Sequence, residues 1–410
     1  MDEPHLSRHY LGTQGLKVKC IPFAPPGPAE PDRGIQSHKL LAVGNWSQDA
    51  EQNVLSVVDL EVWTSPGEDR VLQAGLSSLA GWEHPGSITD LQVTQVGPGR
   101  VVLLTGSSTG AVCRVQLDVP AAPGSAPEQV QIRGEREDFD GIRLRPWRHL
   151  HTGPVAALDI RAETRQVVSV GLDGAIWILP LDGPQPAKPF VEARKSVSYS
   201  AVRWASNTSF VTAGTTGGLE SWDIRQGPRP VTQSPLAWGL AGAGRRDAAQ
   251  GFDRIQCLDV HPSRPHLCAS GSSNGTVTVW DLRFDRPPRL CSVADQAGGG
   301  VWQVRLDLSD AAYSNSQTHP AVLFCTDGGI LAHATPAPGM PSTGQAAVDS
   351  EQNSARPQLQ SEASIVYQEP CGSITSFDIG PGSVDAADVF CVTDQECLLY
   401  YRRLRAAPGA

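Results

Sequence analysis

The chain has 410 residues and a formal net charge of -10, with 40% hydrophobic and 19% charged residues, and its Lys and Arg are scattered rather than gathered into a stripe. No phosphate-tracking footprint is visible, which argues against direct nucleic-acid binding. Gly 41 and Pro 33 are both high, a balance that suits many short strands joined by many turns.

The segment Met1 to Tyr10 is polar and lacks the apolar core of a secretory leader. No run of the chain approaches the roughly 18 apolar residues of a membrane helix, so neither secretion nor membrane insertion is expected. The cysteines (Cys20, Cys113, Cys257, Cys268, Cys291, Cys325, Cys371, Cys391, Cys397) are irregularly spaced, with no Cys-x-x-Cys pair to hold zinc or run redox exchange. Most fall in predicted strands, where a free thiol behaves as a small hydrophobe, so a reducing compartment, cytosol or nucleus, is expected.

One two-part phrase recurs along the chain. Leu40 to Gly44 and Val54 to Asp59 form the first copy, opened by the alternating run Leu16 to Pro22, while His5 to Gly12 is free to pair with the last unit. Ser87 to Leu91, Val101 to Leu104, the turn Thr109-Gly110 and Val112 to Leu117 form the second. The third runs from His151-Thr-Gly-Pro-Val155 through Val167 to Val170 and the turn Asp173-Gly174 to Ala175 to Leu179. The fourth holds Ala201 to Trp204, Phe210 to Ala213, the turn Gly217-Gly218 and Leu219-Glu-Ser-Trp222-Asp223-Ile-Arg225. The fifth is the clearest: Ile255 to Val260, Leu267 to Ser270, the hairpin signal Asn274-Gly275, and Thr276-Val-Thr-Val-Trp280-Asp281-Leu-Arg283. Gly300 to Val304, Ala321 to Phe324, Asp327-Gly328 and Ile330-Leu331 make the sixth; Ser373 to Phe377, Val389 to Val392, Asp394-Gln395 and Cys397 to Tyr401 make the seventh.

A small antiparallel sheet cannot bury both faces alone, so the units must stack around an axis. The expectation is one all-β, seven-bladed WD-repeat β-propeller, closed by pairing of the N- and C-terminal segments, which would remove two exposed sheet edges. Its blades are read near 16–63, 87–118, 151–181, 196–225, 253–283, 299–334 and 373–404. The mean repeat, about 58 residues, exceeds the usual ~40–45. The excess falls in loops at 119–150, 181–195, 226–251, 284–298 and 334–363, of which 335–363 is low in apolar residues and reads as disordered.

The endings Trp222-Asp223 and Trp280-Asp281, with a Gly-containing turn five residues ahead, resemble WD repeats, and the resemblance covers roughly residues 40 to 404. In order along the chain, the phrases Thr105-Gly-Ser-Ser-Thr-Gly110, His151-Thr-Gly-Pro154, Val170-Gly-Leu-Asp-Gly174, Leu219 to Arg225, Val279 to Arg283 and Phe324-Cys-Thr-Asp-Gly328 are similar to the forty-three-kilodalton WD-repeat nucleoporins. That resemblance implies a structural subunit on the short arm of the Y-shaped outer-ring complex of the nuclear pore. Its partners would be other nucleoporins, its place the nuclear envelope, and its part in mRNA export and protein import indirect. The loops here are longer and richer in Pro and Gly than the family's, and no partner-contacting pattern carries over.

His151, Ser169 and Asp173 suggest a hydrolase, but in WD repeats such a set is a structural hydrogen-bond network, and no nucleophile elbow or helix-borne oxyanion hole accompanies it. Gly239 to Gly244 lacks the order and the Lys-Ser/Thr of a phosphate cradle and reads as a loop. The histidines are dispersed, so neither a metal site nor a cofactor is expected. The acidic patch Glu135 to Asp140 reads as a solvated loop, with a basic partner peptide as the alternative. Trp222 and Trp280 read as blade core; Trp46, Trp147 and Trp238, in or near loops, are either tucked beneath them or interface anchors.

Two other functions compete with the pore scaffold. Trp222-Asp-Ile-Arg225 and Trp280-Asp-Leu-Arg283 fit the Trp-Asp-x-Arg ending of cullin-RING ligase substrate receptors, in which Arg225 and Arg283 would offer planar forks to an adaptor. An enzyme on the axial channel would need convergent titratable groups, whereas the unit starts carry Ser87, Pro154, Ser196, Arg254 and Gly300. The reading is therefore a non-enzymatic scaffold with no small-molecule substrate.

Overall fold

The computed structural model describes residues 5–22, 35–47, 51–64, 72–119, 131–132, 145–147, 150–194, 196–215, 218–233, 254–283, 289–293, 299–307, 321–335, 362–380 and 386–404. They fold into seven antiparallel sheets, the blades of a seven-bladed β-propeller. The chain forms two compact units: Met1–Tyr199 with Thr375–Leu404, and Ser200–Ile374.

In the first unit, the first blade runs in order Gln14–Cys20, Ile35–Ser47, Gln52–Thr64 and Leu72–His84. The second holds Ile88–Gly97, Arg100–Ser107 and Val112–Asp118, with Arg145–Trp147 and Gln131–Ile132 on its outer edge. The third holds Val155–Arg161, Gln166–Gly171 and Ile176–Pro180. The seventh blade, Ile374–Gly380, Ala386–Thr393 and Cys397–Leu404, takes its fourth strand from His5–Tyr10. That strand pairs antiparallel from His5 opposite Arg402 to Tyr10 opposite Cys397, which closes the propeller with the two ends of the chain in one sheet. The second unit carries blade four (Tyr199–Trp204, Ser209–Gly214, Leu219–Asp223, Thr232–Gln233) and blade five (Ile255–Val260, Leu267–Ser272, Val277–Asp281, Arg289–Val293). Blade six is Val301–Asp307, Ala321–Thr326, Ile330–Thr335 and Glu362–Gln368.

Several outermost strands lie in stretches that read as loops or linkers: Leu72–His84, Arg145–Trp147, Thr232–Gln233, Arg289–Val293 and Glu362–Gln368. An outer strand buries little on its outward side and so shows a weak apolar alternation. The span 336–361, the body of the stretch read as disordered, lies outside the described residues, as do Gly217, Trp238, Glu135 to Asp140 and Gly239 to Gly244.

Within each unit the core lies between adjacent blades, because alternate residues of a strand face opposite sides of its sheet. In Arg100–Ser107, Val101 and Leu103 join Leu40, Leu55, Val57, Ile88 and Leu91 toward the first blade. Their neighbours Val102 and Leu104 join Val155, Leu158, Val167 and Leu179 toward the third. Ile35–Ser47 divides likewise, with Leu40 and Ala42 facing the second blade and Leu41 and Val43 facing Phe390, Val392 and Tyr400 of the seventh. In the second unit Cys268 and Trp280 pack with Ala201 and Val211 of blade four, while Ala269, Val277 and Val279 pack with Val301, Val304 and Phe324 of blade six. Both faces of a middle strand are thus largely apolar, which produces the continuous run Val101 to Leu104. Each such side chain stabilises the fold by about 1.5–3 kcal/mol through burial.

The strand opening each blade has a sheet neighbour on one side only. Within each unit, side chains of the neighbouring blade meet three of these free edges. The Leu158 N–H donates to Asp90 Oδ2 at 2.9 Å, the Leu306 N–H to Asp259 Oδ2 at 2.8 Å, and the Cys20 N–H to Asp378 Oδ2 at 2.9 Å. Asp90 and Asp259 are buried, so removing either carboxylate strands a buried N–H. Asp90→Ala and Asp259→Ala are each expected to lower unfolding free energy by about 1–3 kcal/mol, read as a lower urea midpoint by circular dichroism. Asn at either position, which keeps an acceptor oxygen, should recover most of the loss.

Candidate functional site

The side chains singled out in the sequence lie at blade turns and strand ends. In the third blade His151 precedes the opening strand, Ser169 sits in the second strand, and Asp173 and Gly174 make the turn into the third. His151 is buried with its Nε2 3.0 Å from Ser169 Oγ and its Nδ1 3.0 Å from Asp173 Oδ1. Asp173 also accepts from the N–H groups of Thr152 at 2.8 Å and Ala175 at 3.0 Å. Burial works to raise the Asp173 carboxyl, but the bonds from His151, Ala175 and Thr152 outweigh it and hold the group down at about 2. Gly174 adopts φ +76°, and a Cβ there would stand 2.4 Å from the Val197 carbonyl oxygen, so the turn requires glycine.

As chemistry this is a closed set. Ser169 Oγ is fully buried on a middle strand facing His151, with no approach for a substrate carbonyl, whereas a nucleophile must reach its reacting atom. What the network does is tie the blade's entry segment to its second strand and to the turn.

The other blades vary the theme. In blades four and five the indole of the Trp-Asp ending replaces histidine: Trp222 Nε1 donates to Thr212 Oγ1 at 2.9 Å and Trp280 Nε1 to Ser270 Oγ at 2.7 Å. Both tryptophans are buried, and Trp222 stacks on Phe210 with centroids 5.9 Å apart. Gly275, at φ +86°, occupies the turn position of Gly174. Asn274 stands where Asp173 stands, accepting from the Ser272 hydroxyl and from the Thr276 N–H at 2.9 Å. Asp327 lies one residue earlier in its turn than Asp173 does: the positive-φ residue after it is Gly329, not Gly328, and the Asp327 N–H donates to the Gly300 carbonyl as the Leu172 N–H does to that of Pro154. Gly328 therefore holds the position of Asp173, and the sixth turn has no carboxylate there.

His84 was not singled out in the sequence. Its Nε2 lies 2.8 Å from Thr105 Oγ1 and its Nδ1 2.6 Å from the Gly86 carbonyl oxygen, so it holds the second blade as His151 holds the third. The signal was spacing: His84 precedes Ile88 by as many residues as His151 precedes Val155. Trp147 is half-buried against the cluster of Leu150, Trp177 and Leu179, and Trp46 is half-buried within Ile35–Ser47.

Asp223 and Asp281 close onto their own arginines. Asp223 accepts from the Arg225 N–H at 3.0 Å, from Nε at 3.2 Å and from Nη2 at 2.9 Å; Asp281 accepts from the Arg283 N–H at 3.1 Å and from Nε at 2.9 Å. The bond from Arg225 lowers the Asp223 carboxyl; for Asp281 burial opposes, and the bonds from Arg283 prevail. The arginine side chains remain 72% and 57% exposed, but their forks are already occupied.

No family model matches the chain. The chain is similar to nuclear pore complex protein NUP43 of Arabidopsis thaliana, 26% identical over 382 residues that cover 89% of this chain and 91% of the relative. It is similar to nucleoporin Nup43 of Homo sapiens, 25% identical over 313 residues (74% and 70%), and to nuclear pore complex protein nup43 of Dictyostelium discoideum, 24% identical over 257 residues (60% and 53%). Blades held by buried His, Trp, Ser and Asp networks at their turns define a WD-repeat β-propeller. Within that class, the chain resembles the Nup43 nucleoporins over most of its length.

Asp173 gives the site a pH dependence of fixed sign. Its carboxyl titrates near 2 when folded and near 3.8 otherwise, so its contribution is complete above the higher value and fades as pH falls through the lower. The contribution is about 2 kcal/mol. Asp173→Asn is expected to flatten the fall in urea-unfolding free energy between pH 5 and pH 2 by that amount, measured by titration at stepped pH.

Proposed function

We propose that this propeller acts on the short arm of the Y-shaped outer-ring complex, as a non-catalytic subunit that binds other nucleoporins and supports mRNA and protein transport indirectly. The chain is a scaffold component of the nuclear pore complex, at the nuclear envelope. The observation that carries this reading is the extent of the likeness to NUP43 of Arabidopsis thaliana, which spans 89% of this chain and 91% of the relative and so takes in the repeats and their order. The net charge of -10 supports protein partners over nucleic acid. Because the blade faces are consumed by core, partner binding falls to loops and outer edges, as suits a rigid platform.

The ubiquitin-ligase reading rests on Arg225 and Arg283 being available to an adaptor. Each is instead engaged by the aspartate two residues before it, a local pairing that WD endings make for their own turn, and this reading is not favoured.

The test is mild affinity purification of the tagged chain from its own cells, with mass spectrometry of stoichiometric partners and imaging of the same tag. Co-purification of the outer-ring nucleoporins with a punctate nuclear rim is expected, unchanged in an Arg225→Ala, Arg283→Ala double variant. Recovery of a cullin adaptor that the double variant loses, with diffuse signal, would overturn the proposal.

A further inference from the structure

The hairpin of Ile35–Ser47 and Gln52–Thr64 runs past the end of Gln14–Cys20, which stops opposite Leu41. In this overhang the register sets His38 opposite Glu61 and Leu40 opposite Asp59. Directly opposed residues and alternate residues of one strand share a face, so His38, Asp59 and Glu61 project from the same side of the ribbon. His38 Nδ1 lies 2.8 Å from Asp59 Oδ2, and ligating atoms of all three side chains lie within 4.8 Å of one another. Among the described residues no other three His, Cys, Asp or Glu side chains converge in this way.

The Asp59 side chain is 2% exposed, yet its Oδ1 meets no hydrogen-bond donor among the described residues. A buried carboxylate oxygen in that condition is costly and calls for a positive partner. The contrast with His151 and Asp173 is informative. There both imidazole nitrogens are bonded, both carboxylate oxygens accept backbone N–H groups, and no second carboxylate intrudes. Among the described residues, two carboxylates and one imidazole thus converge on one face of the ribbon, with Asp59 Oδ1 left over from their hydrogen bonds.

We propose that His38, Asp59 and Glu61 form a site for one zinc-class divalent cation, held by His38 Nδ1 and an oxygen of each carboxylate, with water in the fourth position. An imidazole with two carboxylates suits borderline metals, whereas calcium and magnesium take all-oxygen shells. Protons compete with the cation for the imidazole and the carboxylates, so binding weakens as pH falls. Ligand atoms around tetrahedral zinc stand about 3.3 Å apart, from bonds of about 2.0–2.1 Å. The His38–Asp59 contact opens by about half an ångström to reach this, and the wider contacts close. The bound ion fastens the end of the first blade where it has outrun its opening strand.

The experiment strips the full-length protein with a chelator, dialyses it against zinc chloride, counts bound metal by mass spectrometry, and follows the thermal midpoint. One equivalent of zinc is expected at low micromolar concentration, with a midpoint raised by several degrees and undiminished by excess calcium or magnesium. Glu61→Gln leaves the His38–Asp59 bond in place and should weaken zinc binding at least tenfold while the metal-free midpoint stays put; His38→Gln should abolish it. Cys371→Ser, which removes an exposed thiol, should change nothing. No zinc retained by the wild-type protein, binding unaffected by both site substitutions, or displacement by calcium would each overturn the proposal.

Discussion

A strand with a sheet partner on one side only carries a row of N–H and C=O groups that must find other partners, and every blade here opens with such a strand. The chain answers with side chains aimed from one blade into the next. Asp90, Asp259 and Asp378 each accept a backbone N–H of the following blade's first strand. Between the seventh and first blades the pattern becomes a short ladder: Ser376 Oγ accepts from the Val18 N–H, and Thr375 Oγ1 donates to the Gly15 carbonyl oxygen. The apolar layers between blades supply most of the free energy but little direction, since a greasy face tolerates sliding. A carboxylate 2.8 or 2.9 Å from a particular N–H does not, so these contacts set the stagger of successive blades.

The turn networks answer a separate demand. A hairpin between two apolar strands exposes its own backbone; His84 and His151 tie the entry segment to a hydroxyl on the second strand, and Trp222 and Trp280 tie the third strand to a hydroxyl on the second. These buried polar groups are satisfied within the blade and leave nothing to spare for a substrate. That economy is why the same residue types that suggest a hydrolase in sequence serve here as fasteners, and why the protein presents itself to other nucleoporins as a platform.

Much of this architecture was readable in advance. The apolar runs bounded by Asp-Gly, Asn-Gly and Thr-Gly marked the inner strands, because a strand buried on both faces must be apolar throughout and its turn must tolerate positive φ. The outer strands were not: Glu362–Gln368 is largely exposed and stands apart from its repeat behind a long connection, and Arg289–Val293 lies in a stretch that reads as a loop. Asp327 shows another limit: the doubled glycine Gly328-Gly329 allows two registers for the turn, and only the backbone conformation decides between them. His38, Asp59 and Glu61 were invisible for a third reason. They are distant in sequence, and no spacing rule brings them together without knowledge of the hairpin register.

The N-terminal strand of the seventh blade has a bearing on how the protein is made. Arg8 and Cys397, 389 positions apart, are neighbours in one sheet. At roughly 5–20 residues per second of synthesis, the segment leaves the ribosome about 20–80 s before its partner strand exists. During that interval the first strand is an unsatisfied edge on a growing chain, and six blades can assemble while it waits. The seventh blade therefore cannot be completed until its third strand, made last, emerges to meet the first segment made.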